Sequence, residues 1–259
     1  MKLRLNPAWD RLRGWVERLP DTFAAGGETL HEGRNTIRAY DAQGVQLVVK
    51  RYKRPNPLNA FIYSFLRKSK ARRGYEHALR LRRLGFDTPC PVAWCECRRH
   101  GLLRDAYLVT LRSDYRALPE VTERFPARDT LPVLAAFARF AADLHAAGVV
   151  HEDFNQSNVL WQHDGATDSY RFQLIDINRM RFRRRALRPR ECMVNLRRLA
   201  CPAGAFLCIL DRYAEHRSWN IDDTLLRGTF FRLVFSRHRR IKKRLKHPGT
   251  RSRQRPKAA

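Results

Sequence analysis

Asp153 and Asn158 in His151-Glu152-Asp153-Phe154-Asn155-Gln156-Ser157-Asn158, and Asp176 in Leu174-Ile175-Asp176-Ile177-Asn178, stand at a spacing suited to phosphoryl transfer. Moving phosphate onto an alcohol needs a carboxylate that orients the hydroxyl and accepts its proton. Asp153 fits that role, in a loop that leaves the apolar anchor Val149-Val150, with His151 as a structural residue beneath it. Asn158 offers an amide oxygen and Asp176 a carboxylate, hard donors of the kind Mg²⁺ takes. Each residue alone has a plain reading as a loop or turn residue. Their joint spacing is what points to chemistry.

A lysine for the nucleotide phosphates must come from elsewhere. Along Val45 to Tyr52 side chains alternate faces, which sets Gln46, Val48 and Lys50 opposite Val45, Leu47 and Val49. Val48 is small enough to roof an adenine ring, and Lys50 beside it can bridge the α- and β-phosphates. Glu76 is the sole acid between Lys50 and Leu84 and the expected partner of Lys50, unless it simply neutralises neighbouring arginines. Gly33, in Glu32-Gly33-Arg34-Asn35, is expected to turn the backbone over a phosphate with Arg34 adding charge; a plain β-turn is an equal reading.

These groups require strands and helices in a definite order. A short amphipathic helix is expected over residues 7–18. A β-hairpin follows, Thr36 to Tyr40 and Val45 to Tyr52, then a helix from Lys68 to Leu84 closed by Gly85. Ala106 to Leu111 reads as a strand and Leu131 to Ala147 as a helix stopped by Gly148. Asn158 to Gln162 and Arg171 to Asp176 flank a polar turn at Asp164-Gly165, with Asp176 ending its strand, and residues past 190 are helical with a break near Pro202 and Gly204. The order predicts an α+β, two-lobed protein-kinase-like fold with a β-rich N-lobe and a small, mainly helical C-lobe. The expected division is 1–112 for the nucleotide-binding lobe, 113–236 for the catalytic lobe and 237–259 for a basic, partly disordered tail.

Composition bounds the partners. The chain has 259 residues, 44% of them hydrophobic, enough for one large domain or two small lobes. A formal net charge of +27 calls for an anionic partner. The six cysteines include one Cys95-x-Cys97 pair and no second pair, which is poor zinc spacing and fits a reducing compartment. Residues 1–19 lack the apolar core of a signal peptide, and Leu131 to Val150 carries Arg139, Asp143 and His145 where a spanning helix would need apolar side chains. A soluble, cytoplasmic protein is expected.

These residues together resemble the lipopolysaccharide kinase family, the Kdo/WaaP (InaA-like) group of bacterial sugar kinases. The resemblance is carried most specifically by Val49-Lys50-Arg51-Tyr52-Lys53-Arg54-Pro55, Arg67-Lys68-Ser69-Lys70-Ala71 and Leu174 to Phe182, and spans residues 28–235. It implies use of ATP with Mg²⁺, Asp153 as proton acceptor, Asn158 and Asp176 as metal ligands, and Lys50 on the ATP phosphates. It also implies a Kdo or heptose acceptor in the lipopolysaccharide inner core, at the cytoplasmic face of the inner membrane. Two positions depart from protein kinases. Asn178 stands where Gly follows Asp-Phe, and Glu152 where H-R-D has Arg, which argues against control by a phosphorylated activation loop.

Between Arg179 and Arg190 lie seven arginines and no acid, just past the metal-binding Asp, where an anionic lipid-linked sugar is expected to sit. Arg179 and Arg181 are the acceptor-binding candidates. From Arg237 to Lys257 there are eleven Lys/Arg and no acid, read as a peripheral anchor to an anionic membrane ahead of a nucleic-acid contact. The competing functions are a protein kinase or small-molecule phosphotransferase of the same fold, and a non-catalytic kinase-like module that binds membrane or nucleic acid.

Overall fold

The computed structural model of the chain describes residues 1–246. Strands β1 (Lys2–Leu5), β2 (Glu28–Glu32), β3 (Thr36–Ala42), β4 (Val45–Arg51), β5 (Pro91–Arg99) and β6 (Leu102–Leu111) form one sheet in the order β1-β5-β6-β4-β3-β2. Every neighbouring pair is antiparallel. The β3–β4 hairpin closes on Gln43-Gly44, both at positive φ (55° and 72°), the two-residue turn whose twist matches the flanking strands. Strand β1 had no signal in the sequence. It is four residues long and finds its partner, β5, some ninety positions away.

The alternation in β4 sorts the two faces of this sheet. Val45, Leu47 and Val49 are buried against Leu12, Val16, Leu19 and Phe23 on the back face. Those four residues belong to a 3₁₀ turn (Pro7–Leu12), helix α1 (Arg13–Thr22) and its C-cap Phe23, so the expected amphipathic helix is present and extends past its expected end. The front face carries α2 (Pro57–Phe61), a π-turn (Ile62–Leu66) and α3 (Lys70–Arg83). Ser69 caps α3 by accepting from Arg72 N, and Gly85 at φ 83° ends it.

The remainder is mostly helical. Helices α4 (Pro119–Thr122), α5 (Thr130–Ala146), α6 (Pro189–Leu196), α7 (Ala203–His216) and α8 (Ile221–Lys246) surround a core centred on Leu134, Phe137, Ala141, Phe206 and Leu210. Gly148, at φ 74°, ends the α5 region; a Cβ there would lie 2.5 Å from Arg185 O, so the chain can cross at this point only over glycine. Three short ladders lie on this bundle: β9 (Val159–Asp164) pairs with β10 (Ser169–Leu174) and β7 (Arg116–Ala117), and β8 (Val149–His151) with β11 (Met180–Phe182). The expected hairpin after Asn158 is thus present. Asp176 does not end its strand, however; β10 stops at Leu174 and Asp176 adopts a left-handed conformation (φ 53°, ψ 40°) two residues beyond. Among the described residues no helix is long and apolar enough to cross a membrane. The expected basic tail falls within α8 as far as Lys246, and its part from 247 on lies outside the described residues.

Candidate active site

The loop bearing Asp153 is held from below by His151, which is fully buried. His151 Nδ1 accepts the Asp153 backbone N–H at 3.1 Å, which leaves the proton on Nε2 to donate to Ile175 O at 3.0 Å. One imidazole therefore ties the Asp153 loop to the segment entering Asp176. Asn195 on α6 donates to His151 O at 2.7 Å and accepts from His145 Nε2, while His145 Nδ1 meets the Tyr213 hydroxyl at 3.0 Å. This buried chain of hydrogen bonds fixes the loop to three helices. Phe154, also fully buried, packs on His151 and Phe137.

Burial pushes both imidazoles toward the neutral form, and that of His145 down to about 4. In the unfolded chain a histidine takes up its proton near pH ~6.5. The network's contribution is therefore complete above that pH and declines as pH falls toward the folded value. Urea midpoints should be level at neutral pH and drop between pH ~6.5 and ~4; a midpoint unchanged over that window would contradict the assignment.

Asp153 turns its carboxylate outward, where Oδ2 accepts from Arg179 at 2.7 Å. Asn158 donates its amide to Asp153 O at 2.9 Å, and that bond leaves its side-chain oxygen free to ligate. Asp176 Oδ1 accepts from Lys50 Nζ and from Asn178 Nδ2, each at 2.7 Å. Burial acts to raise the Asp176 carboxyl. The Lys50 ammonium and its hydrogen bond, helped by Arg179, outweigh it and hold the group below the usual carboxylate range. The donor set fits Mg²⁺: a carboxylate and an amide oxygen, with no nitrogen or sulfur ligand. Among the described residues no group of three or more His, Cys, Asp or Glu could hold a metal, so a divalent ion would complete its shell with nucleotide phosphates.

Two cavities meet at Asp176. A cleft of about 630 Å³ under the sheet is lined by Ile37, Val48, Lys50, Ala78, Leu108 and Asn158 among others, a mostly apolar slot with a few polar groups. A polar basin of about 700 Å³ is lined by Arg34, Lys53, Arg54, Lys70, Asp153 and Arg179 among others. Asp176, Tyr52 and Asn35 belong to both. Val48 and Lys50 thus share the cleft, as the strand alternation predicts.

The expected Lys50–Glu76 pair is not formed. Glu76 accepts from Lys68 at 2.7 Å and Arg72 at 2.9 Å. The cleft-facing line of α3 holds Gly74 and Ala78 instead, and two residues from Gly74 is more than half a helical turn off that line. A Cβ on Gly74 would stand 2.9 Å from Leu108 Cδ2, so the helix packs close where a carboxylate would otherwise project. Lys50 is supported by Asp176 and by the Tyr52 ring, 5.4 Å from its ammonium. Accordingly, Glu76→Gln should alter kcat/KM for ATP by less than about threefold, as expected of a solvent-side ion pair; a loss of about a hundredfold in steady-state kinetics would restore Glu76 to the site.

Two further expectations need correction. Gly33 lines neither cavity but a groove beside the basin, with which that groove shares Arg34, Tyr52, Lys53 and Arg54, and a Cβ there would meet the His31 ring, as suits the plain turn; His31 and Asn35 line the cleft. Arg179 reaches the basin, whereas Arg181 pairs with Glu152 at 2.7 Å and lines another groove with Arg183 and Arg198. The sequence reading missed Tyr52, Lys70 and the Asn178 contact to Asp176. Extending the β4 alternation by two residues places Tyr52 with Val48 and Lys50, so that one was within reach.

A β-sheet lobe over a helical lobe, with Lys50, Asp153, Asn158 and Asp176 around their junction, is a protein-kinase-like fold. The model for the lipopolysaccharide kinase (Kdo/WaaP) family matches residues 27–205, and the chain belongs to that family. It is therefore a kinase by family and a phosphotransferase. A solved structure of WaaP in complex with acyl carrier protein is similar over 92% of this chain and 98% of that one, with a TM-score of 0.62 and 20% identity. The MAP kinase LmaMPK10 from Leishmania major aligns over 86% of this chain and 66% of that one, with a TM-score of 0.45 and 16% identity. No curated protein matches the sequence.

Proposed function

We propose that the protein transfers the γ-phosphate of ATP to a hydroxyl of a Kdo or heptose in the inner core of lipopolysaccharide. The observation that carries this reading is the junction of an apolar cleft and a cationic basin at Asp176, with Asp153 on the basin side. Adenine would lie in the cleft under Val48, and Lys50 would meet the α- and β-phosphates. Asp176 and the Asn158 side-chain oxygen would hold Mg²⁺, which supplies charge neutralisation on the phosphates.

Asp153 would orient the acceptor hydroxyl and take its proton. Arg179 holds that carboxylate now, and Arg34, Lys53 and Lys70 share the basin with it. The basin lining holds five cations (Arg34, Lys53, Arg54, Lys70 and Arg179) against two acids (Asp153 and Asp176), and desolvation, then Arg34, Arg73 and Arg179, lowers the Lys70 ammonium below its ordinary value. A carboxylated or phosphorylated sugar would relieve that excess. A lipid-linked acceptor also requires the protein to work at a membrane surface.

The test is transfer of radiolabelled phosphate from ATP to purified deep-rough lipopolysaccharide with Mg²⁺. Labelled glycolipid is the expected product. Strong labelling of protein with none of glycolipid would overturn the acceptor assignment and favour a protein kinase of the same fold.

A further inference from the structure

The segment joining β4 to α3 turns its largest apolar side chains toward solvent. Asn56 caps α2 by accepting from Asn59 N at 2.9 Å, and the chain runs on into the π-turn. One side of these two turns is fastened down. Ala60 is buried, Ser64 Oγ donates to Ala60 O and accepts from Leu103 N at 2.8 Å, and Tyr63 packs on the cluster of Tyr52, Tyr75 and Trp94. The opposite side carries Leu58, Phe61, Phe65 and Leu66, exposed by 69%, 49%, 62% and 75%. The rings of Phe61 and Phe65 pair in the open, 5.0 Å between centroids. Four such residues within nine positions are far more apolar surface than a short solvated turn needs.

The chain on either side of this edge is rich in cations, of which Lys68 and Arg72 pair with Glu76 and Arg54 with Asp105, while Lys53, Arg67, Lys70 and Arg73 have no carboxylate partner among the described residues. Between Lys50 and Glu76 stand eight Lys and Arg residues (51, 53, 54, 67, 68, 70, 72 and 73) and no acid. The inner side of the same segment is a wall of the basin, to which Pro55, Asn56, Asn59 and Tyr63 contribute. An aromatic and aliphatic edge flanked in the chain by cations, four of them without a carboxylate partner among the described residues, has the chemistry of an interfacial element: apolar groups enter the acyl boundary while Lys and Arg meet lipid phosphates.

We propose that residues 57–66 form a lip that enters an anionic phospholipid leaflet and seats the mouth of the basin on it. A lipid-linked acceptor then reaches Asp153 while its acyl chains stay in the bilayer. The purpose given to the lip rests on the glycolipid acceptor proposed above; its lipid contact does not. The lip also differs from the basic tail in joining membrane contact directly to the acceptor wall.

The full chain and a Phe61→Ser/Phe65→Ser/Leu66→Ser variant are compared by co-sedimentation with phosphatidylethanolamine–phosphatidylglycerol vesicles and with phosphatidylcholine vesicles. The side chains replaced are solvent-exposed and line neither cavity. Wild type should bind the anionic vesicles, and the variant about tenfold or more weakly. A Phe230→Ser/Leu233→Ser variant on α8, whose exposed apolar row contributes nothing to the basin, should bind like wild type. Equal binding by wild type and lip variant overturns the proposal, as does loss confined to the α8 variant. Transfer to a delipidated core oligosaccharide is followed in parallel and should be equal in all three proteins. No transfer by any of them overturns the acceptor assignment, and with it the purpose given to the lip, while the vesicles alone decide the lipid contact.

Discussion

Asp153→Ala should lower the rate of phosphate transfer by about 10²–10⁴-fold, the usual loss when a positioned general base is removed. The reason is local. Asp153 is the carboxylate that opens into the basin from the loop held by His151, and Arg179 is its ion-pair partner. On the proposed mechanism, removing it takes away the proton acceptor and the group that would orient the hydroxyl. The fold should persist, because the loop is fixed by the His151 hydrogen bonds and by buried Phe154 rather than by the carboxylate. The lost ion pair is largely solvent-exposed and worth about 0–1 kcal/mol. Radiolabel transfer and thermal unfolding of both proteins check this. Activity equal to wild type would sink the assignment of the base.

Asp176→Asn should be damaging in two ways at once. The substitution keeps the shape and an oxygen for Asn178 but removes the charge that would bind metal, which should cost at least about 10²–10³-fold in transfer. It also leaves the Lys50 ammonium, only 16% exposed, without a counter-charge, with a stability cost on the order of 1–3 kcal/mol. The stability loss should depend on pH. An unfolded Asp titrates near ~3.9, and in the fold Asp176 titrates lower, so the pair's contribution is full above that value and disappears as pH falls through the folded one. The gap in urea midpoint between wild type and Asp176→Asn should therefore be widest near neutrality and narrow in acid. A gap independent of pH would show that the ion pair is not its source.

Much of the fold was legible because its signals are local. The β3–β4 hairpin has a two-residue turn with positive φ at both positions, α3 has a Ser cap and a closing Gly85, and α5 ends at Gly148. Each can be read from a handful of adjacent residues. Strand β1 could not, because four residues of moderate polarity become a strand only when β5 presents an open edge. For Gly33 the sequence left a phosphate-covering turn and a plain turn open for a related reason. A glycine marks where a backbone can bend, and its direction depends here on the packing of His31 and Asn35.

The sequence by itself determined which side chains can do the chemistry and how the chain spaces them. Asp153 and Asn158 share one loop, Asp176 follows the hairpin after it, and Lys50 alternates onto the same face as Val48. Bond geometry and the two-residue period of a strand enforce those relations over short distances. Only the tertiary structure decided which charges meet. Lys50 found Asp176, 126 residues away, because α3 is rotated so that Gly74 faces the cleft and Glu76 faces Lys68 and Arg72. Arg179 turned to Asp153 and Arg181 to Glu152 because Arg179 closes a 3₁₀ turn (Ile177–Arg179) while Arg181 lies in β11, so strand alternation, which would put i and i+2 on one face, does not govern the pair. The first choice depends on how one lobe seats on the other and the rest on how helices and loops pack within a lobe, properties of tertiary packing that no local spacing carries.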